Sequence, residues 1–229
     1  LFGCNYQIGL ENNELLPPEA FFAINNWSAQ RAYPYGYVND KKFFNEFIDV
    51  KNKVQNARFS SPNTTWETMG PHNRGGRTLC VVVNPQNPNT IYAGSASGGL
   101  WRSYKKGDPY SWERIVTGYP VLGVNSIAIS PSDSNTIIIG TGEVYSYQGS
   151  NIGISVRTNR GSFGIGILKS TDGGNTWTKT LNWQYSEQHG VQIIKLNPLN
   201  PNTVWTGTSI GTYKSIDGGD NWSIVDSTF

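Results

Sequence analysis

The tryptophans of this 229-residue chain recur at a fixed interval. Trp66, Trp112, Trp177 and Trp222 are separated by 46, 65 and 45 residues, which is a period near 45 broken once by about 20 extra residues. A period of this size marks a repeat architecture, in which each unit hides its apolar face only by stacking on the next.

Three stretches share one template around these tryptophans: "VVVNPQNPNTIYAGSASGGLWRS" (81–103), "IAISPSDSNTIIIGTG" (127–142) and "IIKLNPLNPNTVWTGTSIGTYKS" (193–215). Each runs from an alternating apolar strand through a turn built on Pro85, Pro131 or Pro198 into a second strand rich in β-branched residues. Proline presets φ and asparagine tolerates unusual backbone angles, so these turns have a mechanism. Four short strands per unit fit a propeller blade. In the second unit they read as 124–130, 136–140, 165–170 and 177–183. Composition agrees, since 15% charged residues, 13% aromatics, 26 glycines and a single methionine favour a turn-rich β protein over a helical bundle. The expected fold is therefore all-β, a β-propeller of four-stranded antiparallel blades forming part of a ring, with a short α-helical N-terminal segment.

Residues 1–58 form that segment and residues 59–229 the propeller portion. "PPEAFFAINNWSAQRAYP" has proline at a helix start and at its stop, Pro34. "NDKKFFNEFIDVKNKVQNAR" places Phe43, Phe44, Phe47, Val50 and Val54 at spacings of three and four behind an Asn39 or Asp40 cap. Blades are expected over about 74–118, 119–183 and 184–229. Trp66 is in phase yet has no preceding strands, so 64–69 reads as an outer strand closing the last blade. Three blades do not close a ring when propellers have about four to eight, so the chain is expected to be the front part of a longer protein.

"STDGGNTW" (Ser170, Asp172, Gly174, Trp177) and "SIDGGDNW" (Ser215, Asp217, Gly219, Trp222) resemble the Asp-box of BNR-type β-propellers, Ser-x-Asp-x-Gly-x-Thr-Trp, and "SYKKGDPYSW" (103–112) resembles a degenerate copy that has lost the acid. The superfamily resembled includes sortilin-like and xyloglucanase-like propellers. The stretch from Gly70 to Ser103, with "QRAYPYG" before it, is similar to secreted or surface propeller proteins of Bacteroidota that carry type IX secretion sorting domains. In such blades the box is the hairpin turn between the third and fourth strands. Its glycines supply backbone angles that a Cβ resists and its aspartate accepts turn amides. The tryptophan packs between neighbouring sheets. The boxes thus read as structural, on the rim away from the chemistry.

Two related enzyme families can be tested on the residues. Xyloglucanase-type glycosidases carry a catalytic Asp in a motif like "RTDIGGAYR" at the end of the second strand. Here "GSASGGLWR" places Ala96 there, the later copy places Ser209, and only "GTGEVY" offers an acid, Glu143. Glycoside hydrolysis canonically needs two carboxylates flanking the bond. The Phe/Tyr-Arg-Ile-Pro motif of sialidases is absent, no metal-ligand spacing occurs, and "GSFGIG" is not followed by the Lys-Ser/Thr of a phosphate loop.

What remains is the opposite rim, built from connections between the second and third strands and between successive blades. Its candidates are His72, Arg74, Arg77, Trp183, Tyr185 and His189, with Glu143, Tyr145, Tyr147, Arg157 and Arg160 from the insertion at 142–164. The expected function is a non-catalytic secreted or cell-surface scaffold binding protein or glycan, without cofactor or metal. The alternative is a propeller-type glycoside hydrolase whose second carboxylate lies in blades not present. A formal charge of +2 points to neither nucleic acid nor an anionic membrane, and no 18-residue apolar run exists. Cys4 in "LFGCN" resembles a lipobox cysteine, although the charged and apolar regions of such a signal are missing; Cys80 in "TLCVVV" reads as a small apolar thiol in a buried strand.

Overall fold

The computed structural model describes residues 22–23, 25–26, 29–30, 32–36, 40–56, 76–120, 123–144, 147–149, 155–157, 162, 164–183 and 189–227. The chain divides into two compact units, Leu1–Val38 with Gly149–Val156, and Asn39–Gln148 with Arg157–Phe229. In the first, the Tyr33 amide donates to the Ala29 carbonyl (3.1 Å) and the Gly36 amide to that of Ala32 (2.8 Å). Gly36 sits at φ +76°, the left-handed conformation that ends a helical turn.

The second unit holds helix α1 (Asp40–Asn56) and three four-stranded antiparallel sheets. Blade 1 is β1 (Thr78–Val83), β2 (Ile91–Ser95), β3 (Leu100–Ser103) and β4 (Trp112–Ile115), hydrogen-bonded in chain order. Blade 2 begins with β5 (Val124–Ile129) and β6 (Ile137–Thr141). The 20-residue insertion follows and carries a small pair, β7 (Tyr147–Gly149) with β8 (Ser155–Arg157). Blade 2 then resumes with β9 (Gly166–Ser170) and β10 (Thr178–Asn182), so the insertion joins its second and third strands. Blade 3 is β11 (Val191–Asn197), β12 (Asn200–Thr208), β13 (Gly211–Ser215) and β14 (Ser223–Asp226). The first strand of blade 2 lies against the first strands of blades 1 and 3, so the sheets fan out from a shared inner edge. They are blades of a β-propeller.

Alternation along the strands gives each blade two apolar faces, which explains why the core lies between sheets. Tyr92, Leu100 and Ile115 of blade 1 meet Ile127, Ile137, Ile139, Leu168 and Trp177 of blade 2 in one cluster. Ala128, Ile138 and Ile167 on the other face of blade 2 meet Val191, Ile194 and Val204 of blade 3 in the second. Burying such surface contributes roughly 25 cal/mol per Å².

Two expectations are corrected. In α1, Phe44 packs on the first cluster and Phe47 is half-buried, but Val50 is 56% exposed. Lys51, one position on, completes the row at i, i+3 and i+7 and donates Nζ to the Gly118 carbonyl (3.2 Å). The side chains of Phe43 and Val54 lie outside the described residues. Strand β1 is covered on one face only: Val81 and Val83 are 60% and 49% exposed because they point away from blade 2. Cys80 points the other way, its thiol donating to the Val124 carbonyl (3.7 Å), and burial pushes it up to about 11.

Candidate functional site

The stretches 170–177 and 215–222, which resemble Asp-boxes in sequence, are turns between the third and fourth strands of blades 2 and 3. Asp172 accepts the amides of Asn175 (3.0 Å) and Thr176 (2.9 Å) on Oδ1 and the Thr176 hydroxyl (2.6 Å) on Oδ2, and the Ser170 hydroxyl donates to Oδ1 (2.8 Å). Ser170 Oγ in turn accepts the Gly174 amide (2.9 Å). Asp217 repeats this with Asp220, Asn221 and Ser215, and Ser215 with Gly219. Glycines 173, 174, 218 and 219 all have φ between +72° and +93°. In the degenerate copy Lys105 stands where the acid would be, Lys106 takes the left-handed position at φ 55°, and the Ser103 hydroxyl still caps the Gly107 amide (3.0 Å).

These turns share a rim with the turns between first and second strands. Lys106, Gly173 and Gly218 donate their amides to the carbonyls of Asn89, Asn135 and Asn202 (2.8, 3.0 and 2.8 Å). Every oxygen of the box carboxylates thus faces its own turn. The Thr176 hydroxyl, its amide and the Ser170 hydroxyl, in that order, lower the Asp172 carboxyl from 3.8 to about 2; the Asn221 amide, its side chain and the Ser215 hydroxyl lower Asp217 too. A carboxyl depressed on folding contributes stability above its ordinary pKa and loses it as pH falls through the folded value. Wild type is therefore expected to lose stability between pH 3.8 and about 2, and Asp172→Asn to lose less over that interval. Identical slopes in acid melting curves would remove the turn role.

The opposite rim has its own repeat. The amides of Ala96, Gly142 and Ser209 donate to the carbonyls of Arg77, Gly123 and Gly190, each at 3.0 Å. These three positions are equivalent, so the place compared with the xyloglucanase aspartate is filled by Ala, Gly and Ser. Glu143 is one residue further on. Its side chain is 4% exposed and meets Arg77 in a fork, Nη1 to Oε1 and Nη2 to Oε2 at 2.5 Å each. Arg77 comes from the connection entering blade 1 and Glu143 from the exit of β6, so the pair ties two blades together. The guanidinium reaches a carboxylate rather than lining the channel through carbonyls alone, and both oxygens of Glu143 are engaged.

Around the pair the backbones come close. The Glu143 amide donates to the Ser162 carbonyl (2.6 Å) and the Gly164 amide to that of His189 (2.8 Å). A Cβ on Gly190 would lie 2.9 Å from the Val144 nitrogen, so only glycine fits there. Two polar residues that motif reading passed over complete the rim. Asn125 Nδ2 donates to Gln192 Oε1 (2.9 Å) and to the Val191 carbonyl (3.1 Å), and Gln192 Nε2 donates to the Val144 carbonyl. Their signal was the repeated "GVN" (123–125) and "GVQ" (190–192) at the start of successive blades.

Of the other sequence candidates, Trp183 and His189 meet edge to face (5.4 Å), and Trp183 also meets Tyr213 (6.2 Å). They pack the blade 2 to blade 3 connection instead of standing open. His72, Arg74, Tyr145, Arg160, Tyr185 and Cys4, with the strand expected at 64–69, lie outside the described residues, as do the side chains of Tyr147 and Arg157. A cavity of about 360 Å³ on this rim lies between blades 1 and 2 under α1, lined by Phe47, Leu100, Arg114, Tyr119 and Ile139 among others. Among the described residues no three His, Cys, Asp or Glu gather as metal ligands, and no helix is long and apolar enough to cross a membrane.

Comparison with known proteins finds similarity to xyloglucanases over part of their length. No family model matches the chain. A probable oligoxyloglucan-reducing end-specific xyloglucanase of Neosartorya fischeri is 24% identical over 203 residues, covering 66% of this chain and 24% of that protein. Xyloglucanase Xgh74A of Acetivibrio thermocellus is 27% identical over 172 residues, covering 71% of this chain and 19% of that protein. The chain thus spans about a quarter or less of the curated relatives it matches. Among solved structures, an ancestral GH74 enzyme superposes with TM-score 0.49 at 27% identity, over 65% of this chain and 18% of the other. The GH74 enzyme of Niastella koreensis does so with TM-score 0.47 at 20% identity, over 65% and 22%.

Proposed function

We propose that this chain supplies blades of a polysaccharide-directed β-propeller of the xyloglucanase kind, acting as a glycoside hydrolase on xyloglucan or a related β-glucan. The observation that carries it is the sequence likeness to xyloglucanases over 66% and 71% of the chain. It replaces the non-catalytic scaffold as the favoured reading. Export belongs to the proposal, because such a polysaccharide is met outside the cell.

These blades would hold the glycan and not cut it. Hydrolysis canonically needs two carboxylates flanking the glycosidic bond. Ala96, Gly142 and Ser209 leave the expected place without an acid, and Glu143 spends both oxygens on Arg77. The reacting carboxylates are then assigned to other blades of the complete ring. Ala96 is also the observation that favours the second reading, a scaffold that binds glycan without turnover.

The test is release of reducing ends from xyloglucan by the native polypeptide, beside Glu143→Gln. Turnover retained in that variant, per folded molecule, is the expected outcome. Turnover lost at an unchanged melting temperature would place Glu143 in catalysis. Binding without hydrolysis would restore the scaffold, and neither binding nor hydrolysis would end the glycan reading.

A further inference from the structure

Blades 1 and 2 leave room between them that blades 2 and 3 do not. Strand β4 pairs with β3 without a shift in register, with Leu100 opposite Ile115 and Ser103 opposite Trp112. Strand β10 is bulged against β9 between Lys179 and Leu181, and there a Cβ on Gly166 would lie 1.8 Å from the Leu181 carbonyl oxygen. Gly99 holds the same place in blade 1, one residue before Leu100, and its Cβ position meets nothing nearer than Arg114 Nε at 3.5 Å. Trp183 packs on the second cluster, whereas the connection after β4 (116–123) has no tryptophan. The result is the cavity of about 360 Å³, within the range of about 300 to 1,000 Å³ usual for small-molecule sites.

Its chemistry is one-sided. Leu100, Val124 and Ile139, each fully buried, form the wall, and Phe47 of α1 covers it. The hydroxyls of the wall are already engaged. Thr141 donates to the Gly166 carbonyl (2.6 Å) and accepts the Ile165 amide (2.9 Å), Tyr119 donates to the Trp177 carbonyl (3.3 Å), and Thr117 Oγ1 accepts the Tyr119 amide (3.4 Å). None of the described lining residues is acidic, yet two cations stand at the lip. Lys51 Nζ donates to the carbonyl of Gly118, itself a lining residue (3.2 Å), and that uses one of three ammonium donors. Arg114 lines the cavity beside Gly99, is exposed, and donates to no acceptor among the described residues. Its chain neighbour Glu113 is held by Arg102 (2.7 Å).

We propose that this cavity is a binding site for a small carboxylate with an apolar body, an aryl- or alkyl-carboxylic acid. The body enters between Leu100 and Ile139 beneath Phe47, and the carboxylate meets Lys51 and Arg114 at the lip. An apolar wall favours an apolar body, and a carboxylate drawn partly out of water needs charge-assisted hydrogen bonds, which the two cations supply. A sugar is a poorer occupant, because the wall hydroxyls that would pair with its own are bonded inside the protein. The inference is therefore independent of the glycan reading.

Isothermal titration of the native polypeptide with 3-phenylpropionate tests it. Two companions dissect the ligand: 3-phenylpropionamide keeps the body without the charge, and acetate keeps the charge without the body. The acid is expected to bind at one site per chain, and the amide and acetate about tenfold more weakly or worse. Lys51→Gln with Arg114→Gln should bring the acid down to the affinity of the amide and leave the amide unchanged. If that pair lowers the melting temperature, Arg114→Gln alone, which breaks no bond within the fold, carries the same test. Phe47→Ala should weaken acid and amide alike, since both lose the cover. Equal affinities for acid and amide would overturn the proposal. So would an acid affinity untouched by loss of the cations, which places the ligand elsewhere, or the absence of saturable binding by the acid.

Discussion

Trp177→Ala is expected to cost about 3 to 5 kcal/mol, the range for truncating a buried aromatic side chain. The indole is 7% exposed and sits among Leu100 and Ile115 of blade 1 and Ile137 and Leu168 of its own blade. Its Nε1 donates to the Gly174 carbonyl (3.0 Å), so truncation opens a cavity between blades and strips a partner from the turn at once. Trp222→Ala should cost less. That indole is only half-buried, and its N–H is shared between Thr180 Oγ1 (3.1 Å) and the Gly219 carbonyl (3.2 Å). Urea midpoints at unchanged m value measure both. A wild-type midpoint for Trp177→Ala would refute packing between blades as the role of the box tryptophan.

Arg77→Met is expected to destabilise more than Glu143→Gln, and the asymmetry is the test. Removing the guanidinium leaves a nearly buried carboxylate with two oxygens stripped of their fork. Breaking a fully buried pair from one side costs about 3 to 5 kcal/mol. Here the Arg77 side chain is 38% exposed, so water takes up part of the loss and about 2 to 3 kcal/mol is expected. Removing the acid's charge leaves a cation that already touches solvent and an amide that still accepts, which should cost about 1 kcal/mol. A double-mutant cycle separates the coupling from the single effects. Equal losses, or a larger one for Glu143→Gln, would show that the pair is not the clamp between blades 1 and 2.

Much of the fold was legible because its signals are local. Blade 2 runs at 124–129, 137–141, 166–170 and 178–182, within two residues of the sequence reading, since alternation and the proline turns mark strands without help from distant chain. Val50 misled for the opposite reason. Spacings of three and four admit it to the stripe of α1, and only the surface beneath the helix selects Lys51 in its place. Glu143 was found as a residue but misread as a position: one step past Gly142 is invisible until the backbone bond to Gly123 fixes the register between blades.

By itself the sequence determined the period, the four-stranded unit and the place of the insertion. All of these rest on residues a few positions apart, where periodicity and turn chemistry suffice. Only the tertiary structure decided that Arg77 clamps Glu143, 66 residues away, that Trp177 is buried by the blade before its own, and that Arg102 and Lys169 reach forward into the next box. Those partners come from different blades, and their meeting is set by how one twisted sheet packs on another.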